Sequence, residues 1–284
     1  MASAELSKLV ARALAEDIGV GDITSGAVVP ADARARARIV QKGPGVLFGL
    51  QAAEEAMRQA GGDSFERLAV EGEWHDNVPT EVAEIDGPAR ALLAGERTAL
   101  NFLCHLSGIA TLTARFVQAV EGTRAEILDT RKTTPGLRTL EKAAVAAGGG
   151  RNHRLGLDDA ILVKENHIAL AGGVGRAVRA AARSEGELNV EVECRKLGEV
   201  EEALDAGAAR ILLDNMSPTE LSRAVRVVAN AARAHGPEAT LEASGGVTLD
   251  NVAEIAATGV DFISVGALTH SAPALDCSME LEPA

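Results

Sequence analysis

Leu6, Val10 and Leu14 recur every four residues with Lys8, Arg12 and Glu16 between them, which predicts a short amphipathic helix. Residues 33–41 alternate small and charged side chains, with Arg34, Arg36 and Arg38 on one face. That period of two is a strand with one solvated side. The turn Gly43-Pro44-Gly45 precedes a second short strand at 46–48, and residues 50–59 have helical spacing. Further strands are expected at 65–70 and 82–85. From Glu96 a long helical pattern runs through Leu100, Leu103, Leu106, Leu112 and Phe116. The start of the chain has no apolar core of a targeting peptide, and no stretch is expected to reach the length of a membrane span.

From about Ala125 the rhythm changes. The short apolar runs AEILD, ILVK, NVEVE, RILLD, TLEAS and FISVG alternate with helical stretches such as 197–206, 221–234 and 249–258. Strands spaced by crossover helices imply parallel βα units. Six such runs favour a barrel over an open doubly wound sheet.

Ligands of βα folds bind at the carboxyl ends of the strands, and here those ends carry sorted chemistry. AEILD ends at Asp129 and runs into Thr130-Arg131-Lys132, and ILV is followed by Lys164. Glu193 and Asp214 end the next two strands, and the last two lead into Ser244-Gly245-Gly246 and Ser264-Val265-Gly266. Glycine-containing ends let backbone N–H groups approach a phosphate at the start of the next helix. The two carboxylates can hold Mg²⁺, bind ribose hydroxyls or balance a cationic transition state. A plain ion pair with Lys132 or Lys164 is the bland alternative.

Composition sharpens this picture. The net charge of −13 argues against nucleic acid as a partner, and an aromatic content of 2% leaves little for base-stacking platforms or a membrane belt. Cys104, Cys194 and Cys277 are odd in number and far apart, so reduced thiols of a cytoplasmic protein are expected rather than disulfides or a zinc site. Against the acidic background, Arg131, Lys132, Arg138, Lys142, Arg151 and Arg154 face the single acid Glu141, a local charge of +5. The Gly148-Gly149-Gly150 loop and His153 lie in the same stretch. Arginine forks suit carboxylates and phosphates, so an anion pocket is favoured over a solvated basic face.

At these residues the sequence resembles the quinolinate phosphoribosyltransferase family. The strings are EDIGVGDITS (16–25), GERTALNFLCHLSGIAT (95–111), DTRKTTPGLRTLEKAAVAAGGGRNHRLGLDDAILVKENHI (129–168), VEVECRKLGE (190–199), LLDNMSP (212–218), LEASGGVT (241–248) and DFISVGALTHSAPALDCSM (261–279). The resemblance implies an N-terminal mixed α+β sandwich domain over 1–108, rejoined by the tail 270–284, and an incomplete, open α/β barrel over 109–269. It implies transfer from phosphoribosyl pyrophosphate to quinolinate, giving nicotinate mononucleotide, pyrophosphate and CO₂, with Mg²⁺ required. It also implies a homodimer, in which Arg97 reaches into the partner's barrel mouth. Arg131, His153, Arg154 and Lys164 would line the dicarboxylate pocket, with Thr130 beside them and Lys132 near both substrates. Glu193 and Asp214 would sit near the ribose and the metal, directly or through water or cosubstrate. Residues Ser244, Gly245 and Gly246, with Ser264, Val265 and Gly266, would hold the 5-phosphate.

The same residues admit three rivals. A Schiff-base lyase or aldolase would use Lys164 or Lys132, its pKa depressed by the surrounding cations. A non-catalytic anion-binding protein has no use for Glu193 and Asp214. A nicotinate-using or transport-associated paralogue is the nearest alternative within the family.

Overall fold

The computed structural model describes residues 3–184, 189–235 and 239–284. Its strands are β1 (Arg34–Gln41), β2 (Gly45–Val46), β3 (Glu66–Arg67), β4 (Trp74–His75), β5 (Thr80–Pro88) and β6 (Glu126–Leu128). They continue as β7 (Ile161–Val163), β8 (Val190–Cys194), β9 (Arg210–Asp214), β10 (Thr240–Ser244), β11 (Phe262–Ser264) and β12 (Cys277–Pro283). Residues 1–114, 139–149 and 272–284 form one compact unit, and 115–138 and 150–271 a second.

In the first unit a four-stranded sheet runs β12-β1-β5-β3. The Ala–Arg alternation of β1 explains its placement. Ala35, Ala37 and Ile39 are buried, whereas Arg36 and Arg38 face outward. Across the antiparallel register they meet Asp86 at 3.0 Å, Glu84 at 3.5 Å and Glu282 at 3.2 Å. Exposed pairs of this kind add at most about 1 kcal/mol each, so the apolar face carries the sheet. Strand β12, at the end of the chain, pairs with β1 from Ala35 to Gln41.

The helix Ala89–Ala119 corrects one sequence expectation. It is long and apolar enough to cross a membrane by length and composition, but 61% of that window is buried. Leu92, Leu100, Leu103, Leu106 and Ile109 are nearly inaccessible, which is the pattern of a core helix.

The second unit holds a six-stranded sheet in the order β6-β11-β10-β9-β8-β7, every neighbour parallel. Its two edge strands, β6 and β7, are not paired with each other. The segment after the Gly148–Gly150 loop adds to the edge of β6 instead. Arg151 N–H donates to Ile127 O at 2.8 Å, and Asp129 N–H donates to Arg151 O at 3.1 Å. This is an incomplete α/β barrel, with residues 151–154 laid along its gap. Period two sorts each strand: Val192, Cys194, Ile211 and Leu213 are buried on one face, while Glu191, Glu193, Arg210, Leu212 and Asp214 line cavities on the other.

Candidate active site

A cavity of about 320 Å³ opens at the carboxyl ends of β6–β11. It brings together Thr130, Arg131, Lys132, His153, Arg154, Lys164, Glu193, Asp214, Ser244 and Ser264 from the residues singled out in the sequence. Arg97, Gly245, Gly246, Val265 and Gly266 are not among its lining residues. Arg97 belongs to the first unit, exposed on the long helix.

The cations have unequal partners. Lys164 Nζ lies 3.2 Å from Glu193 Oε2, so the plain ion pair considered for these residues does exist. Asp214 accepts from Arg195 Nε at 3.2 Å and from Asn215 Nδ2 at 3.0 Å. Arg154 is half-buried and donates from Nη1 to Ala160 O at 3.0 Å. Burial and the adjacent Arg131 charge hold its pKa below the ordinary arginine value. Arg131 Nε is buried without a hydrogen-bond partner among the described residues. Two neighbouring guanidiniums with an orphaned donor call for an anion.

The other basic residues of the +5 stretch act elsewhere, which corrects the reading of that stretch as one pocket. Lys142 is 2% exposed and belongs with the first unit. Arg138 braces a loop, donating to Thr133 Oγ1 at 2.9 Å and Leu155 O at 3.0 Å. Arg151 pairs with Glu126 at 2.5 Å.

The two small-residue turns are built differently. Gly245 has φ +99°, and a Cβ there would collide with the Asn215 side-chain amide, so only glycine fits. Asn215 itself sits at φ +56°, and its N–H donates to Ser244 O at 2.8 Å. A Cβ on Gly266 would lie 3.1 Å from His270 Nε2 and 3.2 Å from Lys132 Cδ. Thr269 Oγ1 donates to Lys132 O at 2.8 Å and pins the loop after β6 beside this turn. The helix after β10 begins only at Val252, so the Ser244–Gly246 turn does not lead directly into a helix N-terminus, contrary to the sequence expectation. Asn215 and His270 were missed in the sequence; their signal was adjacency to a strand end and a glycine turn.

A buried charged cluster was missed as well. Glu191 and Glu242 are 4% and 0% exposed. His153 Nε2 lies 3.0 Å from Glu191 and 3.6 Å from Glu242. Arg210 reaches Glu191 at 3.2 Å and Glu242 at 2.5 Å. Metal-ligand atoms of His153, Glu191 and Glu242 lie within 4.8 Å of one another, but the Arg210 guanidinium already pairs with both carboxylates. Burial and the Glu191 charge push Glu242 up to about 7. Burial opposes ionisation of Glu191 too, yet the His153 hydrogen bond and the Arg210 charge outweigh it and hold that carboxyl below its ordinary value.

This cluster has a pH signature. Glu242 faces Glu191, His153 and Arg210, and its value rises from 4.5 in the unfolded chain to about 7. Its contribution to stability is therefore full below pH 4.5 and lost as pH rises through 7. Glu242→Gln mimics the protonated acid and should flatten that loss, worth about 3 kcal/mol at most. Thermal unfolding midpoints at pH 5 and pH 8 read it; the same pH dependence in both proteins would refute it.

Cys194 is buried, and burial pushes its thiol up to about 12, so it packs rather than reacts. His105 pairs with buried Glu141 at 2.9 Å within the first unit.

The comparisons with known proteins fit this geometry. Residues 109–280 match the family described as quinolinate phosphoribosyl transferase, C-terminal domain, and residues 22–107 match its N-terminal domain. A nicotinate-nucleotide pyrophosphorylase [carboxylating] of Mycobacterium leprae is 43% identical, over 96% of this chain and 95% of that protein. A probable counterpart from Bacillus subtilis is 39% identical, over 98% and 93%. The solved structure of the Francisella tularensis nicotinate-nucleotide pyrophosphorylase superposes with a TM-score of 0.92 at 37% identity, covering 99% of this chain and 98% of that one.

Proposed function

Because the chain belongs to the quinolinate phosphoribosyltransferase family, we propose that the cavity at the carboxyl ends of β6–β11 is where it performs that family's reaction. The chain is an enzyme of NAD biosynthesis that transfers phosphoribosyl to quinolinate with decarboxylation. The observation that carries the site assignment is the pair Arg131 and Arg154. Two adjacent guanidiniums, one with a buried unpartnered Nε, match a ligand with two carboxylates.

In this reading Arg131, Arg154 and Lys164 take the carboxylates, and His153 forms the wall beside them. Leu162 and Leu212 supply the apolar contact for the ring, since no Phe or Trp lines the cavity. Lys132 stands between quinolinate and cosubstrate. The Ser244–Gly246 and Ser264–Gly266 turns hold the 5-phosphate, with His270 beside the second. The pyridine nitrogen attacks the anomeric carbon as the bond to pyrophosphate breaks. Glu193 and Asp214 stabilise positive charge developing on the ribose. The electron pair left on C2 when CO₂ departs is stabilised there by the positive charge of the adjacent quaternary nitrogen, and a proton then completes that carbon.

Glu193 and Asp214 also offer the hard oxygen donors that Mg²⁺ prefers. Both are already paired to cations, at 3.2 Å each, which favours contact through water or cosubstrate over direct ligation. When bound, the ion would neutralise charge on the leaving pyrophosphate. A homodimer supplying Arg97 across its interface and a cytoplasmic location complete the proposal. The three free thiols support that location.

The protein, mixed with phosphoribosyl pyrophosphate, Mg²⁺ and quinolinate labelled at its 2-carboxylate, should release labelled CO₂ and pyrophosphate in equal amounts. Nicotinate in its place should react with kcat/KM lower by about two orders of magnitude, because one guanidinium is left without its carboxylate. Equal use of nicotinate would overturn the dicarboxylate pocket.

A further inference from the structure

The strip of residues 151–154 has open space on two sides. The active-site cavity of about 320 Å³ and a second cavity of about 470 Å³ share His153 and Arg154 as lining. Packing alone therefore cannot fix these two side chains, and polar ties must. The backbone is anchored: His153 N–H donates to Asp129 Oδ1 at 2.8 Å. The ring is held at both nitrogens. Arg154 N–H donates to His153 Nδ1 at 2.7 Å, which leaves the ring proton on Nε2, and that N–H donates to Glu191 Oε2 at 3.0 Å. Glu191 is fixed in turn by Arg210 Nε at 3.2 Å, and the Arg210 guanidinium lies 4.4 Å above the centre of the Phe262 ring. Glu191 and Arg210 line the second cavity and are not among the residues lining the active-site cavity.

We propose that Glu191 and Arg210 are positioning residues for quinolinate: they orient the His153 ring and, through its Nδ1, the backbone from which Arg154 meets a substrate carboxylate. The inference rests on the assignment of the cavity given above. It also gives His153 a definite role. With both ring nitrogens committed inside the protein, His153 holds Arg154 in place and does not deliver a proton to the substrate.

Steady-state kinetics with each substrate varied in turn test this. Arg210→Met should raise the KM for quinolinate about tenfold while the KM for phosphoribosyl pyrophosphate moves less than about twofold. Arg210→Lys should restore most of the loss, since it keeps a cation against Glu191. If Arg210→Met does not fold, Glu191→Gln and Glu191→Ala carry the test: the amide retains an acceptor for Nε2–H, so only the alanine should raise the quinolinate KM strongly. Glu191→Ala combined with His153→Ala should be no worse than about twice the poorer single variant, because both act through one arrangement. Both KM values rising together, or multiplicative losses in the double variant, would overturn the proposal. Arg154→Ala is the control that separates the two failures. An unchanged quinolinate KM in that variant sinks the cavity assignment itself. A raised KM there, with wild-type kinetics in the Glu191 and Arg210 variants, sinks only the positioning role.

Discussion

Arg154→Ala should lower kcat/KM for quinolinate by about two orders of magnitude, equivalent to about 2.7 kcal/mol of transition-state binding. The size comes from the setting. Arg154 is half-buried beside Arg131, and both burial and that neighbouring charge disfavour its ionised form. A substrate carboxylate relieves both penalties at once, so its absence wastes more than one solvent-exposed contact. The same reasoning predicts an unusual stability profile. Removing Arg154 loses its hydrogen bond to Ala160 O but also removes like-charge repulsion with Arg131. These changes oppose each other, so the thermal midpoint should move by only a few degrees, about 1 kcal/mol either way. Loss of activity with an intact melt marks a binding group, whereas parallel losses would mark a structural one. Arg154→Lys should recover little, because a point charge cannot reproduce the planar fork. Wild-type quinolinate kinetics in Arg154→Ala would remove the basis for placing the dicarboxylate here.

The barrel was legible because its strands obey simple periodicities. NVEVE, RILLD and TLEAS each place apolar residues on one face, and the structure buries Val192, Ile211, Leu213, Leu241 and Ala243 accordingly. Glu193, Asp214 and Ser244 were legible because each stands at the carboxyl end of an apolar run, where a βα fold opens its cavity. The same period of two puts Glu191, Arg210 and Glu242 on the inward face one layer deeper. They were not legible, because a charge near the start of an apolar run looks like an ordinary strand edge until the sheet curls round it. Charge summed along the chain misled for a related reason. Arg138, Lys142, Arg151 and Arg154 are close in sequence, but the helix Arg138–Ala147 turns Lys142 into a buried position while Arg151 is drawn to Glu126. A linear charge sum treats neighbours in sequence as neighbours in space, and a helix and a strip laid along a sheet edge separate them. Asn215 and His270 carried no pattern of their own, since both roles depend on where Gly245 and Gly266 turn.

Arg97→Ala and Arg131→Ala, each nearly inactive alone, should together regain about a quarter of wild-type turnover when co-expressed as a random mixture of dimers. The expectation starts from the long helix. Leu92, Ala99, Leu100, Leu103 and Leu106 are buried, while Arg97 and Asn101, one turn apart, are exposed. Arg97 forms no ion pair among the described residues, and it does not line the cavity of the second unit. Arg97 thus stands on the exposed face of a helix whose other face is core, and its planar fork is free to serve a partner's anion site. If each active site combines Arg97 from one subunit with Arg131 from the other, half of a random mixture is heterodimer. Every heterodimer then has one site carrying both lesions and one site carrying neither, which sets recovery at about a quarter. Separately tagged variants and two-step purification of the heterodimer raise the expected value to about half of wild type per dimer. A purified heterodimer no more active than its parents would show that Arg97 serves its own chain, and the shared-site arrangement would fall.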